Sequence, residues 1–388
     1  HPYSDSIQWD IERFIFFSKA VLAVMPVIGF HPDIIHCHDW QTGMIPVFLR
    51  STFASHSFYW GTKTIMTIHN LKFQGVWDMQ CFVYHTNLPS YMFTPDKLEF
   101  KKDANMLKGG LVYADYITTV SETYAEEIKT PYYGEQLDGL LCARSRSLRG
   151  ILNGIDYDIY NPETDPKISV HYNVSNVVEQ KKQAKRNLQA ELGLPVDDSK
   201  FMIAIISRLT DQKGLDLVDW IADRITDEFT QFVIIGTGES RYENMFRYYQ
   251  GKYPDRVSAN IFYSDPLAHK LYAAADAMLV PSRFEPCGLT QLISLRYGTV
   301  PIVRETGGLK DTVEPYNEYD KVGTGFTFRH YNADDLLYTI NYAKKIYFDF
   351  RDDWNEIITR GMQKDFSWKS SARQYEGMYD WILRGMKD

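Results

Sequence analysis

The stretch RFEPCGLTQL, Arg283 to Leu292, decides the fold because it joins two segments of different periodicity. The residues before it, AMLVPS at 277–282, form an apolar run that predicts the end of a buried strand. The residues after it predict a helix, since Leu289, Leu292 and Leu295 recur at helical spacing. The quoted stretch is therefore predicted to be a strand-to-helix turn. An open α/β sheet holds its ligand site at such turns, at the carboxyl ends of its strands.

The same alternation of strands and helices continues in both directions along the chain. We predict strands at 32–39, 62–70, 113–121, 201–209, 231–238, 277–282 and 299–308. We predict helices at 10–28, 42–49, 122–128, 181–192 and 267–275, and a packing helix in the tail. Strands separated by helices in this way imply parallel βαβ units. The predicted fold class is therefore α/β, with two Rossmann-like domains facing a cleft.

The chain of 388 residues is long enough for two domains, each with a core of its own. We place the first domain at 1–157 and the second at 158–366. The segment DIYNPETDP at 158–166 is rich in turn-forming residues and is predicted to be a linker. The tail, 367–388, carries an apolar stripe at helical spacing, which predicts a helix that packs on a domain.

The composition excludes several classes of protein. The net charge, 42 − 50 = −8, argues against a surface that binds nucleic acid. The four cysteines are scattered without a CxxC pair, which predicts a reducing cytoplasm and neither a disulfide framework nor a zinc site. The most apolar window, 14–30, contains Lys19 and Pro26, so it predicts a buried helix rather than a membrane anchor. We expect no nucleic-acid or membrane partner.

The quoted turn offers groups that suit an anionic sugar ligand. The first amides of the predicted helix, at Gly288, Leu289 and Thr290, lack intrahelical partners and can point at a phosphate. Because Pro286 disfavours helical geometry in the residue before it, the Glu285 carboxylate is expected at the turn, where it can accept sugar hydroxyls. The alternative is a capped helix with an exposed glutamate.

Three more loops follow predicted strands in the second half. Arg208 and Lys213 flank one of them, and two cations in one loop fit a diphosphate, with a solvated surface loop as the alternative. GTGES at 236–240 is only a weak indication of a ligand-binding loop, because a GxG turn also fits a tight connection between a strand and a helix. The paired glycines Gly307 and Gly308 open a helix after the strand at 299–308. These loops together favour a nucleotide-type ligand.

The first half contributes polar residues at its own strand ends. Asp39, His69 and Asn70 follow two predicted strands and can converge, with Asp39 orienting a hydroxyl and His69 facing a sugar. For His36 and His38 we favour structural histidines whose hydrogen bonds are satisfied. No spaced metal-ligand set, nucleophile elbow or phosphate-binding lysine loop of the Walker type is present in the sequence.

Several motifs make the comparison with known families specific. In chain order they are HDWQTG, TIHNLKFQG, KGGLVYADYITTVS, ILNGID, SRLTDQKGLDLV, VPSRFEPCGLTQL and TGGLKDTV. From about Pro32 to the tail, the chain resembles the bacterial glycogen synthases and plant starch synthases. The resemblance implies a GT-B glycosyltransferase with two Rossmann-like domains. It would move glucose, with retention of configuration, from ADP-glucose to the non-reducing 4-OH of an α-1,4-glucan, without a metal or other cofactor.

The resemblance also implies roles for residues near the donor. Arg208 and Lys213 would neutralise the leaving diphosphate. Glu285 would hold the glucose hydroxyls, with Cys287 beside it. Tyr263 would contact the adenine. The protein would be cytoplasmic, or plastidic if it comes from a plant.

Further roles follow from the same resemblance. The amides around Leu289 and Thr290 would meet phosphate or glucose, and the last helix would return to the first domain. The family's N-terminal lysine–glycine–glycine loop does not occur in this sequence, so we expect a first domain that is incomplete at its N-terminus. The residues that would line the sugar side of the cleft from the first domain are Asp39, His69, Asn70 and Asn153.

Two alternatives to an ADP-glucose-dependent glucan synthase stay open on the sequence. One is a UDP-glucose-using transferase of the same fold. The other is a non-catalytic fragment that binds glucan or nucleotide. For an enzyme, we find no convincing nucleophile for double displacement. Same-face attack by the acceptor, assisted by the departing phosphate, is therefore the favoured route to retention.

Overall fold

The computed structural model describes residues 3–385, which fall into two compact units. The first unit contains the described residues up to Leu152 together with those from Ala372 onward. The second unit is Asn153–Ser371. Its start lies slightly before the position 158 that the sequence suggested, and its end lies inside the tail helix.

The first unit is built on a parallel sheet of four strands, in the order β1-β2-β6-β7. Its parallel pairing places the carboxyl ends of all four strands at the same edge. The strands are β1 Ile34–His38, β2 Lys63–Ile68, β6 Tyr116–Thr119 and β7 Leu148–Gly150. A second, antiparallel sheet in the order β3-β5-β4 was not predicted, because strands of two or three residues show no periodicity. Its strands are β3 Val76–Trp77, β4 Glu99–Phe100 and β5 Asp103–Asn105.

Six helices surround these sheets within the first part of the chain. They are α1 Ile7–Val27, α2 Met44–Leu49, α3 Met79–Thr86, α4 Met106–Tyr113, α5 Glu122–Glu127 and α6 Asp138–Ala143. The prediction that α1 is buried was wrong. It buries a stripe that includes Ile11, Ile15 and Leu22, whereas Phe16 and Val27 are exposed. The segment has more apolar residues than one helix face can hold.

The second unit contains a parallel sheet of six strands, in the order β10-β9-β8-β11-β12-β13. The strands are β8 Phe201–Ile206, β9 Thr230–Ile235, β10 Val257–Asn260, β11 Ala277–Val280, β12 Val300–Arg304 and β13 Phe326–Phe328. Their near-continuous apolar sequences fit a sheet that is covered on both faces. From β8 the chain proceeds outward through β9 and β10, and later in the other direction through β11, β12 and β13. The strand order therefore reverses between β8 and β11, and such a switch point opens a crevice at the carboxyl ends.

Eight helices belong to the second unit. They are α7 Val177–Glu191, α8 Leu215–Ile225, α9 Ser240–Lys252, α10 Asp265–Ala274, α11 Thr290–Arg296, α12 Gly307–Thr312, α13 Ala333–Asp349 and α14 Arg351–Gln363. The α/β class with parallel sheets is confirmed in both units. Among the described residues, no helix is long and apolar enough to cross a membrane.

The segment predicted to be a linker, 158–166, is instead packed into the second unit. Asp165 is fully buried, and its Oδ2 accepts hydrogen bonds from His269 Nδ1 at 2.7 Å and from the Tyr297 hydroxyl at 2.6 Å. Hydrogen bonds from these partners lower the pKa of Asp165 despite its burial. Turn-forming residues made the segment look like a linker, but one buried carboxylate with two distant partners fixes it to the core.

The tail forms helix α15 Trp368–Leu383, which packs on the sheet of the first unit. Met378 and Ile382, two residues of the predicted stripe, are buried against a cluster of residues from three strand regions. That cluster consists of Ile65, Tyr116 and Ile151. A helix at the end of the chain thus completes the core that the beginning of the chain starts.

Candidate active site

Two strand-end loops of the second unit meet at the switch point between β8 and β11. Gly214, at φ +71°, lies so close to the other loop that a Cβ atom there would come within 2.0 Å of the Pro281 carbonyl oxygen. The Arg283 N–H donates to the Gln212 carbonyl at 2.9 Å, and the Gln212 side chain donates to the Phe284 carbonyl at 3.3 Å. Backbone contact therefore fixes the distance between the loops that carry Lys213 and Glu285.

The central feature of this junction is an ion pair. Lys213 Nζ lies 2.7 Å from Glu285 Oε2, and the same oxygen accepts a hydrogen bond from Ser282 Oγ at 2.8 Å. The two charged side chains are only 18% and 10% exposed. The alternative of an exposed glutamate at the turn is thus wrong. The geometry holds one cation and one carboxylate side by side at the carboxyl ends of the strands, the edge where open α/β sheets generally bind ligands.

Paired glycines support the turn from the neighbouring strand. A Cβ atom on Gly307, at φ +45°, would lie 2.0 Å from the Glu285 carbonyl oxygen, and one on Gly308 would lie 2.0 Å from the Cys287 carbonyl oxygen. The Gly308 N–H donates to the Glu285 carbonyl at 3.1 Å. The sequence predicted that the loop containing Gly307 and Gly308 contributes to a site for a nucleotide-type ligand. The structure shows that these glycines let the backbone after β12 press against the Glu285 turn.

Two polar residues that the sequence analysis missed also hold this turn. Ser282 is the hydroxyl donor to Glu285. Gln291 is fully buried, and its Nε2 donates to the Cys287 carbonyl at 3.0 Å and to the Gly288 carbonyl at 2.9 Å. Gly288 has φ +73°, and a Cβ atom there would crowd the Gln291 side chain at 2.5 Å. A glutamine inside the apolar run LTQLISL was the available signal.

A cavity of about 60 Å³ lies beside the ion pair, between the carboxyl ends of β8 and β11. Lys213, Glu285, Gly288, Leu289 and Thr290 all line it, so five of the predicted residues come together here. The Leu289 side chain is exposed, and the Thr290 hydroxyl hydrogen-bonds to the buried Tyr272 hydroxyl.

Cys287 is next to the cavity, but its thiol is not activated as a nucleophile. It is buried, and burial raises the pKa of its thiol to about 12, so the thiol stays protonated at neutral pH. The Asn153 N–H donates to this sulfur. Asn153 was predicted in the first domain, whereas the structure places it in the second unit, in contact with Cys287 of the Glu285 turn.

Two predicted residues of the second unit stand apart from the ion pair. Arg208 is exposed, and within 3–385 its side chain makes no hydrogen bond or ion pair. Tyr263 is 84% exposed in the connection from β10 to α10. Both follow strands at the same edge of the sheet as Lys213, so both are open to a ligand.

The first unit brings its three predicted residues together at the ends of the adjacent strands β1 and β2. The Asp39 backbone has φ +54°, and its Oδ1 accepts the His69 N–H at 2.7 Å. The Asn70 N–H also donates to this carboxylate. Burial raises the pKa of Asp39 to about 6 in spite of these hydrogen bonds. A half-buried carboxylate on a strained backbone is typical of a functional position.

A row of histidines lies behind Asp39. The rings of His36 and His38 stack at 4.4 Å, and His38 Nδ1 lies 3.0 Å from His69 Nε2. His36 hydrogen-bonds to the Tyr379 hydroxyl at 2.7 Å and to the Thr67 hydroxyl at 2.6 Å. Burial, followed by the charge of His38, lowers the pKa of His36 to about 3. His36 is therefore the neutral structural histidine that we predicted.

One group of metal-ligand side chains lies elsewhere in the first unit. Atoms of Glu12, Cys81 and His85 lie within 4.8 Å of one another, with His85 Nε2 at 3.3 Å from Glu12. They belong to α1 and α3, helices that carry none of the predicted site residues. Sequence spacing did not indicate this group because Glu12 is remote from the other two along the chain.

Comparison with known proteins first defines the class. A family model described as glycosyl transferases group 1 matches residues 189–360. Sucrose-phosphate synthase from Thermosynechococcus elongatus shares the fold, with a TM-score of 0.59 at 19% identity, over 95% of this chain and 78% of that chain. With parallel sheets in both units and ligand loops at the strand ends, the chain is a glycosyltransferase of the GT-B type.

The family follows from nearer relatives. A family model described as starch synthase catalytic domain matches residues 1–143. A glycogen synthase of Lachnospira eligens is 64% identical over 98% of this chain and 79% of that relative, and one of Anoxybacillus flavithermus is 52% identical over 97% and 77%. The catalytic domain of Starch Synthase IV from Arabidopsis thaliana, bound to ADP and acarbose, has a TM-score of 0.89 at 33% identity, over 98% of this chain and 79% of that chain. The chain belongs to the glycogen synthase and starch synthase family.

Proposed function

We propose that this glycosyltransferase moves glucose from ADP-glucose to the non-reducing 4-OH of an α-1,4-glucan, and that the Lys213–Glu285 pair binds the donor. The pair lies at the switch point of a parallel sheet, beside a cavity lined by Leu289 and Thr290. A carboxylate can accept sugar hydroxyls, and an ammonium can bind a diphosphate. The similarity to a starch synthase bound to ADP supports ADP as the nucleotide part of the donor.

Lys213 would assist the departure of the diphosphate leaving group. Breaking a glycosyl–phosphate bond places negative charge on the departing diphosphate. A cation that is already fixed by Glu285 needs little reorganisation to meet that charge. We assign Arg208 a second contact with the diphosphate, since it is exposed and free of protein partners among the described residues. Tyr263 would stack on the adenine.

Retention of configuration is best explained by same-face attack of the acceptor. Double displacement needs a free carboxylate or thiolate as nucleophile. The Glu285 carboxylate is engaged by Lys213 and Ser282, and the Cys287 thiol is protonated at neutral pH. Isolation of a covalent glucosyl–enzyme adduct after rapid denaturation would contradict this route.

The remaining site residues are proposed to contact sugar. In the first unit these are Asp39, His69 and Asn70, which meet at adjacent strand ends. Neither metal nor other cofactor is required by this scheme, and transfer should continue in excess chelator. We further propose a cytoplasmic enzyme, because all four cysteines are unpaired thiols.

Nucleoside diphosphate release tests this function directly. The purified chain is supplied with ADP-glucose or UDP-glucose, each with and without glycogen. We expect ADP release that depends on glycogen and exceeds UDP release. Faster UDP release would favour the UDP-glucose alternative, and tight ADP binding without turnover at high enzyme concentration would favour the non-catalytic one.

A variant separates sugar from nucleotide recognition. Glu285→Ala should abolish most glucose transfer but leave ADP affinity nearly unchanged, because the carboxylate meets the sugar and not the diphosphate. Calorimetric titration with ADP measures the affinity. Equal loss of transfer and of ADP binding would contradict the assigned role.

A further inference from the structure

Three side chains that commonly bind metal ions converge where helices α1 and α3 meet in the first unit. They are Glu12 from α1 and Cys81 and His85 from α3, and we call them the α1–α3 cluster. One ligand atom of each side chain lies within 4.8 Å of those of the other two. None of the residues assigned to the donor or to the sugar belongs to this cluster.

We propose that the α1–α3 cluster binds a divalent transition-metal ion, zinc in particular, and that the ion joins the two helices. The inference goes beyond the proposed function and does not rest on it, because the transfer scheme requires no metal. The spacing of the three side chains, their donor atoms and their surroundings each support a metal ion as the occupant.

The spacing of the ligand atoms is close to that of a zinc site. Cys81 and His85 are four residues apart on α3 and therefore share a face of the helix, the spacing that helical zinc motifs use for two ligands. Tetrahedral zinc with bonds of about 2.0–2.3 Å places its ligand atoms roughly 3.3–3.6 Å apart. His85 Nε2 is already 3.3 Å from Glu12 Oε1. The thiol can reach the same spacing through rotation of its side chain.

The donor atoms select the class of metal. A thiolate, an imidazole and a carboxylate are ligands typical of zinc, whereas calcium and magnesium take oxygen ligands. Binding would release the Cys81 proton to solvent, and the resulting thiolate and the Glu12 carboxylate would balance the two positive charges of the ion. With three protein ligands, a water molecule would take the fourth position.

Neighbouring groups hold the ligands in place. Gln8 Nε2 donates to Glu12 Oε1 at 2.9 Å, and contacts of this kind orient metal-binding carboxylates. The Asp78 carboxylate accepts the Cys81 N–H at 2.8 Å and caps the start of α3. The side chains of Glu12 and His85 are 25% and 28% exposed, and Cys81 is partly buried. An ion can therefore enter from solvent and still be shielded once bound.

Titration with cobalt(II) tests the cluster directly, because a thiolate bound to Co²⁺ gives a near-ultraviolet charge-transfer band. The full chain is reduced, freed of metal with chelator, and titrated first with Co²⁺ and then with Zn²⁺. We expect a band that saturates at a single equivalent of cobalt and disappears with a single equivalent of zinc, which binds more tightly. A site made of histidines alone, such as the row behind Asp39, would give no such band.

Variants identify the ligands. Cys81→Ser should abolish the band, whereas the matched control Cys142→Ser, which removes an exposed thiol, should leave it unchanged. His85→Ala and Glu12→Gln should each weaken zinc binding at least about tenfold, since even the outer partners of metal ligands have effects of that size. Thermal midpoints of the metal-free variants show whether the fold is intact. Zinc should raise the midpoint of the wild-type chain but not that of Cys81→Ser.

The wild-type spectrum alone can overturn the proposal. Saturating cobalt without a thiolate band would leave an ordinary contact between His85 and Glu12 beside an unligated thiol. A band that persists in Cys81→Ser would assign the metal to another cysteine. Unchanged zinc affinity in both His85→Ala and Glu12→Gln would also contradict the cluster. These measurements do not involve glycogen-dependent ADP release, so failure of the metal site is distinct from failure of the proposed function.

Discussion

At the scale of single residues, two opposite charges stabilise each other at the proposed donor site before any ligand arrives. Lys213 and Glu285 come from loops after different strands, and each is mostly shielded from water. The sequence predicted that both residues bind a ligand, each from its own loop. Their pairing could not be predicted, since it requires the order of strands β8 and β11 in the sheet. The structure adds Ser282 as the third member of the arrangement.

The pair predicts a specific pattern for Lys213→Ala. Transfer should fall strongly, and the free energy of unfolding should fall by roughly 1–3 kcal/mol because the shielded Glu285 carboxylate loses its cation. ADP release and urea unfolding measure the two effects. Adding Glu285→Gln should recover part of the stability and none of the transfer.

A matched control tests whether the effect comes from the position of Lys213 and not simply from the loss of a paired lysine. Lys182→Ala also removes a lysine that is paired with a glutamate, Glu179, but on the exposed surface of α7. Its effect on unfolding should stay within about 0.5 kcal/mol, with normal transfer. Wild-type transfer in Lys213→Ala would remove that lysine from the donor site.

At the scale of elements, long buried strands were predictable and short or polar ones were not. β8, β9 and β11 lie inside their predicted ranges almost completely, because continuous apolar runs between helices define buried parallel strands. The sheet of β3, β4 and β5 is too short to show a period. The segment at 158–166 was misjudged because the partners that anchor Asp165 are more than a hundred residues away.

The glycine support of the Glu285 turn gives a prediction at this scale. Gly308→Ala places a methyl group 2.0 Å from the Cys287 carbonyl oxygen, and backbone cannot yield cheaply. We expect a loss of roughly 2 kcal/mol or more in unfolding free energy, with reduced transfer. Gly251→Ala on α9 has no atom within 4 Å of the added carbon and should be neutral or up to about 1 kcal/mol more stable. Equal stability of the two variants, measured by urea unfolding, would contradict the packing described.

The histidine row predicts how the first unit responds to acid. The pKa of His36 is about 3 in the folded chain, below its ordinary value, and those of His38 and His69 are also lowered, mainly by burial. Unfolded histidines take up protons near pH 6.5, so stability is complete above that pH and falls as pH drops toward 3. Asp39, whose pKa is raised to about 6, opposes this loss below pH 6.

Thermal midpoints of unfolding, measured from pH 7.5 to 5, test the direction in which stability changes with pH. We expect the midpoint to fall with pH, since each lowered histidine contributes at most about 1.4 kcal/mol per pH unit. His36→Asn should flatten the slope, whereas the exposed His31→Asn should not. If His36→Asn leaves the slope of the thermal midpoint against pH unchanged, the histidine row is excluded as the source of that slope.

At the scale of the whole molecule, the chain contains two α/β units, and its last helix belongs to the unit in which the chain begins. The motifs in family order predicted this class, and the relatives confirm it. What sequence could not show is how the proposed donor residues are held: the Ser282 and Gln291 hydrogen bonds, and the glycines behind the turn, are contacts across strands. We propose that nucleotide recognition lies entirely within the second unit, where these residues are held.

Hydrogen–deuterium exchange of the full chain with and without ADP tests that placement most directly. Amides at 207–214 and 285–290 should exchange more slowly with ADP, because these loops enclose the cavity beside Lys213 and Glu285. Exchange at 315–319 should not change. Slower exchange confined to other parts of the chain, with these two loops unaffected at saturating ADP, would contradict the placement of the nucleotide beside Lys213 and Glu285.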